Sequence, residues 1–153
     1  MRVAVAGFGD AGSSIAKKIR NFDVYTVLSY DFNSINNLLR DLSEYDFIIL
    51  IAGLGGNGAN ALIEVSHKIK NKMIYLVKPL SVEKTRVEKA KKQINSLEKF
   101  ILFELDKFAS DEKYWKMTIH DFLDTIDNLI AKKIESDILN LLTNNNSDNI
   151  QKS

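Results

Sequence analysis

The residues that most constrain the chemistry of this chain are its seven glycines, because all of them fall in two short windows. Gly7, Gly9 and Gly12 occupy the first window; Gly53, Gly55, Gly56 and Gly58 occupy the second. Turns elsewhere are left to Asn, Asp and Ser, which adopt left-handed backbone less freely than glycine. Each window follows a short apolar run, Val3-Ala4-Val5-Ala6 or Phe47 to Ala52, and each precedes a segment with helical spacing. A strand, a glycine-rich corner and a helix start present bare backbone N–H groups at the positive end of a helix dipole. Such a corner binds phosphate.

Other chemistries are poorly supplied. Zero cysteines exclude a disulfide framework, a thiolate metal site and a Cys nucleophile. Two histidines, His67 and His120, make a His-rich metal site improbable, and His120 has no second ligand at metal spacing. No Ser, His and Asp set suggests nucleophilic catalysis, and Ser13 and Ser14 read as helix-start hydroxyls beside a phosphate corner. The formal charge of +1 argues against a nucleic-acid partner, which normally demands a basic excess. Lys84, Arg86, Lys89, Lys91 and Lys92 read as a solvated helix face. No G-x-x-x-x-G-K-[ST] occurs, so the P-loop is excluded.

The elements that must position the corners alternate regularly. The pattern predicts strands near 2–6, 24–29, 46–52, 73–77 and 100–104. Helices are predicted near 11–20, 33–42, 59–70 and 83–97, followed by a long helix over 118–142. Strands joined by single helices form parallel pairs through right-handed crossovers, and the apolar runs 47–52 and 73–77 suit burial on both faces. The expectation is therefore a three-layer, Rossmann-like α/β domain over 1–142 with a mostly parallel sheet. Residues 143–153, Asn-rich and nearly without apolar side chains, are expected to be a disordered tail. The longest apolar stretch falls far short of the roughly 20 residues that span a bilayer. With no signal-peptide pattern at the N-terminus, the chain reads as soluble and cytoplasmic.

The first corner matches G-x-G-x-x-G as Gly7-Phe8-Gly9-Asp10-Ala11-Gly12. Asp31 follows near the end of the next predicted strand, where an acid holds a ribose hydroxyl of NAD. A small NAD(P)-binding domain is thus one reading. The second corner adds something that a dinucleotide fold does not need.

The stretch Tyr45 to Asn60, running through Ala52-Gly53-Leu54-Gly55-Gly56-Asn57-Gly58-Ala59-Asn60, resembles the glycine-rich AGMGGGTGTG signature of the tubulin/FtsZ family. Val77-Lys78-Pro79-Leu80-Ser81-Val82-Glu83 is similar to that family's TKPFSFEG, with Arg86 near its following basic residue. Leu102 to Phe108 is similar to the family's strand ending in PNDKL, and Gly7 to Ser14 to its first loop. The matches run in order from about Val3 to about Ile130. What the resemblance implies is a minimal nucleotide-binding domain that takes GTP or GDP, a triphosphate bringing Mg with it. The implied phosphate contacts are Gly9, Asp10, Ala11, Gly12 and Ser13 in the first corner. In the second they are Gly53, Gly55, Gly56, Asn57, Gly58, Ala59 and Asn60. Asp31, Glu83 and Arg86 would approach the sugar, and Asp127 is the nearest candidate for a base contact from the long helix, beside Phe122 and Asn128.

The chain also departs from that family. Its second loop is about one residue short and lacks both threonines, and no NxDxxD loop with a following second domain occurs. The family draws its hydrolytic acids from that domain. Little or no GTP hydrolysis by this chain alone is therefore expected. A half-site of this kind would pair with itself or with a full-length tubulin/FtsZ relative. A degenerate domain kept only for protein contacts is the third reading. Trp115 and Tyr114 read as core or interface aromatics.

Overall fold

A computed structural model describes residues 1–152, with side chains through Asn144. Five parallel strands form one sheet in the order β2-β1-β3-β4-β5. They are β1 (Val3–Phe8), β2 (Asp23–Val27), β3 (Phe47–Gly53), β4 (Lys72–Lys78) and β5 (Ile101–Glu104). The helices are α1 (Gly9–Ala16), α2 (Phe32–Leu42), α3 (Asn57–Ser66), α4 (Lys84–Ile94), α5 (Leu105–Ala109) and α6 (Ile119–Lys152). The chain is a three-layer, Rossmann-like α/β domain.

Strand periodicity divides the core in two. Ala4, Ala6 and Phe8, with Ile48, Leu50, Ala52, Ile74 and Leu76, pack with α2, α3 and α4. Val3 and Val5, with Ile49, Ile51, Tyr75 and Val77, pack with α1 and α6. The distribution of helices follows from strand order. Crossovers that move in one direction across a parallel sheet lie on one face, and reversing direction changes the face. The step from β1 to β2 gives one face only α1. The steps toward β5 give the other face three helices. The exposed remainder of the first face is covered by α6, whose Phe122, Ile126, Ile130, Ile134 and Ile138 are all buried at helical spacing. Tyr75 of β4 pins it, its hydroxyl donating to Asp137 Oδ2 at 2.7 Å.

Three differences from the sequence reading have physical causes. Both corner helices begin earlier than the spacing indicated, at Gly9 and Asn57, so glycines stand inside their first turns. The segment after β5 holds α5 and a short 3₁₀ turn at Glu112–Tyr114, elements too brief to show a period. The last helix runs as one element to Lys152, past residue 142, with no Gly or Pro to stop it. The disordered tail was expected over 143–153, and of that span the side chains of 145–153 lie outside the described residues. Among the described residues no helix is long and apolar enough to cross a membrane.

Candidate functional site

Both glycine corners lie at the carboxyl edge of the sheet, side by side. Phe8, the last residue of β1, is in register with Ala52 near the end of β3. Strand order reverses direction between these two strands, and open α/β sheets bind ligands at that point. The corners touch: a Cβ on Gly9 would meet Gly58 Cα at 3.3 Å, and one on Gly58 would meet Gly9 N at 2.8 Å. Gly9 and Gly55 have φ of 73° and 87°, the left-handed region that favours glycine.

The helix starts are alike in one respect. Neither Phe8 nor Gly56, the residues at the caps of α1 and α3, gives a side-chain capping bond. In each first turn the N–H groups have no intrahelical acceptor, which leaves Gly9 to Ala11 in α1 and Asn57 to Ala59 in α3. The N–H groups of Gly12, Ser13 and Asn60 fall within helical bonding instead.

In their surroundings the two starts differ. The first is compensated from within, since Asp10 places a carboxylate in the first turn of α1. Tyr30 lies over it, its hydroxyl 3.3 Å from where a Gly9 Cβ would be. Burial, and then the charge of Asp10, raise the phenol's pKa above its ordinary value. Ser13 is buried and donates back to Gly7 O at 3.3 Å, and Ser14 donates to Asp127 Oδ2 at 2.8 Å. Neither hydroxyl serves the helix start. Beside α1 a depression of about 370 Å³ is bordered by Asp10, Ser14, Lys17, Lys18 and Leu28.

The second start has no acid in its first turn. Lys89 of α4 reaches it, donating to Asn57 Oδ1 at 2.9 Å. Arg86 packs its backbone against Gly55 and pairs loosely with Glu83 at 3.9 Å. The loop is held by Gln93, a buried polar side chain of α4. Gln93 Oε1 accepts from Gly55 N at 2.7 Å, while Nε2 donates to Gly56 O at 2.9 Å and Asn60 Oδ1 at 2.8 Å. Sequence reasoning missed Gln93 and Lys89. Both lie on a helix whose pattern reads as solvated, and only the packing of α4 on α3 reveals them.

The remaining candidates are dispersed. Asp31 lies beyond the end of β2 and caps α2: Oδ1 accepts from Ser34 N at 2.8 Å and Oδ2 from Ser29 Oγ at 2.7 Å. Those bonds, the Ser34 N–H foremost, hold its pKa below the ordinary carboxylate value. Asp127 is partly buried between α6 and α1, and burial raises its pKa. Phe122 is buried in the core and Asn128 donates to Asp124 O at 3.0 Å within its own helix. Gly53 packs against Ala11, joining the corners a second time.

Among the seven glycines Gly56 stands apart. A Cβ built there meets nothing within 4 Å, and its φ of −106° is open to any residue. The other six are held by close neighbours or by a left-handed φ.

No family model matches the chain. It is 27% identical over 111 residues to an uncharacterized protein of Archaeoglobus fulgidus. That similarity covers 63% of this chain and 65% of the archaeal protein, so it spans less than two thirds of the relative's length.

Proposed function

We propose that the chain binds a guanine nucleotide, with its phosphates at the start of α3, as a minimal domain of the tubulin/FtsZ type. The observation that carries this reading is Gly56. A Ser, Thr or Asp there would cap the helix, and the fold leaves room for one. Glycine instead keeps both the space and the N–H groups free, beside the ammonium of Lys89. An ammonium is the wrong charge for the positive end of a helix. A phosphate placed between them satisfies both.

The resemblance to the tubulin/FtsZ glycine loops supports guanine over other nucleotides. Asp31, which both the NAD reading and the guanine reading bring to a sugar, is engaged in capping α2 and in accepting from Ser29, so it favours neither. Exposed Leu28, Phe32 and Val82 lie just after β2 and β4, at the same end of the sheet. A contact with a second copy or with a related filament protein would cover them.

Equilibrium binding of labelled GTP, GDP, ATP and NAD, with wild type and Gly56→Asp, tests the reading. Expected are saturable GTP and GDP binding and a loss of at least roughly tenfold in the variant, whose carboxylate caps α3 and repels phosphate. No binding to any of the four, or binding indifferent to Gly56→Asp, ends it. Size measured with and without GTP tests association.

A further inference from the structure

A cavity lies at the opposite edge of the sheet from the glycine corners. It measures about 760 Å³, within the range of about 300–1,000 Å³ typical of small-molecule sites. Its origin is a mismatch of strand lengths. Strand β4 begins at Lys72, but its pairing with β5 begins only at Tyr75 with Ile101. Residues 72–74 of β4 therefore lack a partner on that side, and a notch opens beneath the ends of α3 and α4. Phe47, Ile74, Leu97 and Phe100 give it apolar walls.

Lys70, Lys72 and Lys99 also line the cavity. Among the described residues none of the three has a carboxylate partner within 4.0 Å, although seven ion pairs occur elsewhere. Lys72 donates to Ile69 O at 2.6 Å instead. Neutralising a helix end accounts for part of this charge at α3, whose last turn has no basic residue and whose following carbonyl at Ile69 takes Lys72, but not at α4. The basic residues in the last turn of α4 are Lys91 and Lys92, and neither lines the cavity. Three ammonium charges face one carboxylate, Glu98, and two helix C-termini of about half a negative charge each. The mouth is left positive above an apolar interior.

We infer that this amino-edge notch is a second binding site, independent of the nucleotide reading, for a small amphipathic anion: an apolar or aromatic body carrying a carboxylate, sulfonate or phosphate. The body fills the space between Ile74, Leu97 and Phe100, and the anion faces Lys70 and Lys99.

The probe is 8-anilinonaphthalene-1-sulfonate, titrated into the folded full chain and followed by fluorescence. Saturable one-to-one binding is expected, with displacement by octanoate and far weaker displacement by octanol. The double variant Lys70→Glu/Lys99→Glu, exposed positions both, should weaken the dye by at least roughly tenfold. Lys89→Glu at the other edge should leave it unchanged. Equal competition by octanol, indifference to the double variant, or an equal loss with Lys89→Glu overturns the inference. So does depletion of the protein by phosphatidylglycerol vesicles where octanoate fails to displace the dye, since the anion would then belong to a lipid surface.

Discussion

The two glycine corners read alike in sequence and do different work in the fold. In the first, glycine is required by contact between backbones. A side chain on Gly12 would collide with the carbonyl of Ile51 in β3, and one on Gly7 with the carbonyl of Gly12. That corner seats α1 against the sheet, supplies its own carboxylate in Asp10, and lies under Tyr30. In the second, a side chain from another helix holds the loop, the helix start carries no acid, and Gly56 has open space before it. A glycine motif thus combines two signals. One is close packing, which the first corner satisfies almost entirely. The other is a set of N–H groups with no intrahelical acceptor, which both corners keep but only the second leaves without a carboxylate in the same turn.

The largest expected effect tests the packing signal. Gly12→Ala places a methyl group against the backbone of β3, where nothing flexible can yield. A loss of about 3 kcal/mol is expected, at the upper end for overpacked sites, read as a lower urea midpoint. An unchanged midpoint would show that α1 can slide from β3 and that the contact of Gly12 with Ile51 does not require glycine. Next comes the tether of the second corner. Gln93→Leu leaves Gly55 N–H, Gly56 C=O and Asn60 Oδ1 without their partner. The cost should be about 2 kcal/mol, the usual penalty for stranded buried polar groups. Nucleotide binding should weaken as well, because the loop loses its shape. A variant that unfolds more easily but binds unchanged would separate Gln93 from the site.

Gly56→Asp should move stability and binding in opposite directions. With φ at −106° and no neighbour, the new side chain strains nothing and caps α3. A gain of a few tenths of a kcal/mol, about what a better cap gives over glycine, is expected in thermal unfolding. Loss of stability would mean that the open space before α3 is not open. Loss of binding together with a stability gain cannot be ascribed to damage.

The alternation of elements was legible because parallel strands buried on both faces are written as continuous apolar runs. Ile48 to Ala52 is the clearest, with all five residues buried. The common edge of the two corners was legible for the same reason, since each follows a strand in a parallel sheet. The site was less so. Periodicity marks which face of α4 is polar but not that Gln93 is turned inward to meet Gly55, a bond spanning 38 residues. Asp31 reads as a ribose acid from its distance to the first corner, yet the same residue type caps helices, and here it begins α2. Start positions of helices also matter. A shift of two residues moved the N–H groups of Gly12 and Ser13 from the loop into the helical ladder. The notch at the amino edge has no sequence signal at all, because it arises from strand lengths.

A last effect, also small, concerns the tether of the first corner. Where Gln93 holds the second corner as a neutral amide, Asp127 holds α1 as a carboxylate, accepting from Ser14 Oγ at 2.8 Å. Burial raises its pKa, only partly offset by Ser14 and Lys18. A raised carboxylate pKa in the folded state favours folding fully at pH values below the unfolded value of about 3.9. That contribution is lost as pH rises through the folded value, so at neutral pH the charge carries a desolvation cost. Asp127→Asn keeps an acceptor for Ser14 and removes the charge. It should raise stability at pH 7 by less than about 1 kcal/mol, and the advantage should shrink toward pH 4 as the wild-type carboxyl protonates. Thermal unfolding at the two pH values reads the difference. Destabilisation at pH 7 would mean that attraction to Lys18 outweighs burial. The same variant bears on the nucleotide. A side chain committed to Ser14 should not discriminate bases, so GTP and ATP binding should respond equally. A selective loss of GTP binding would return Asp127 to the base contact that the tubulin/FtsZ resemblance gives it.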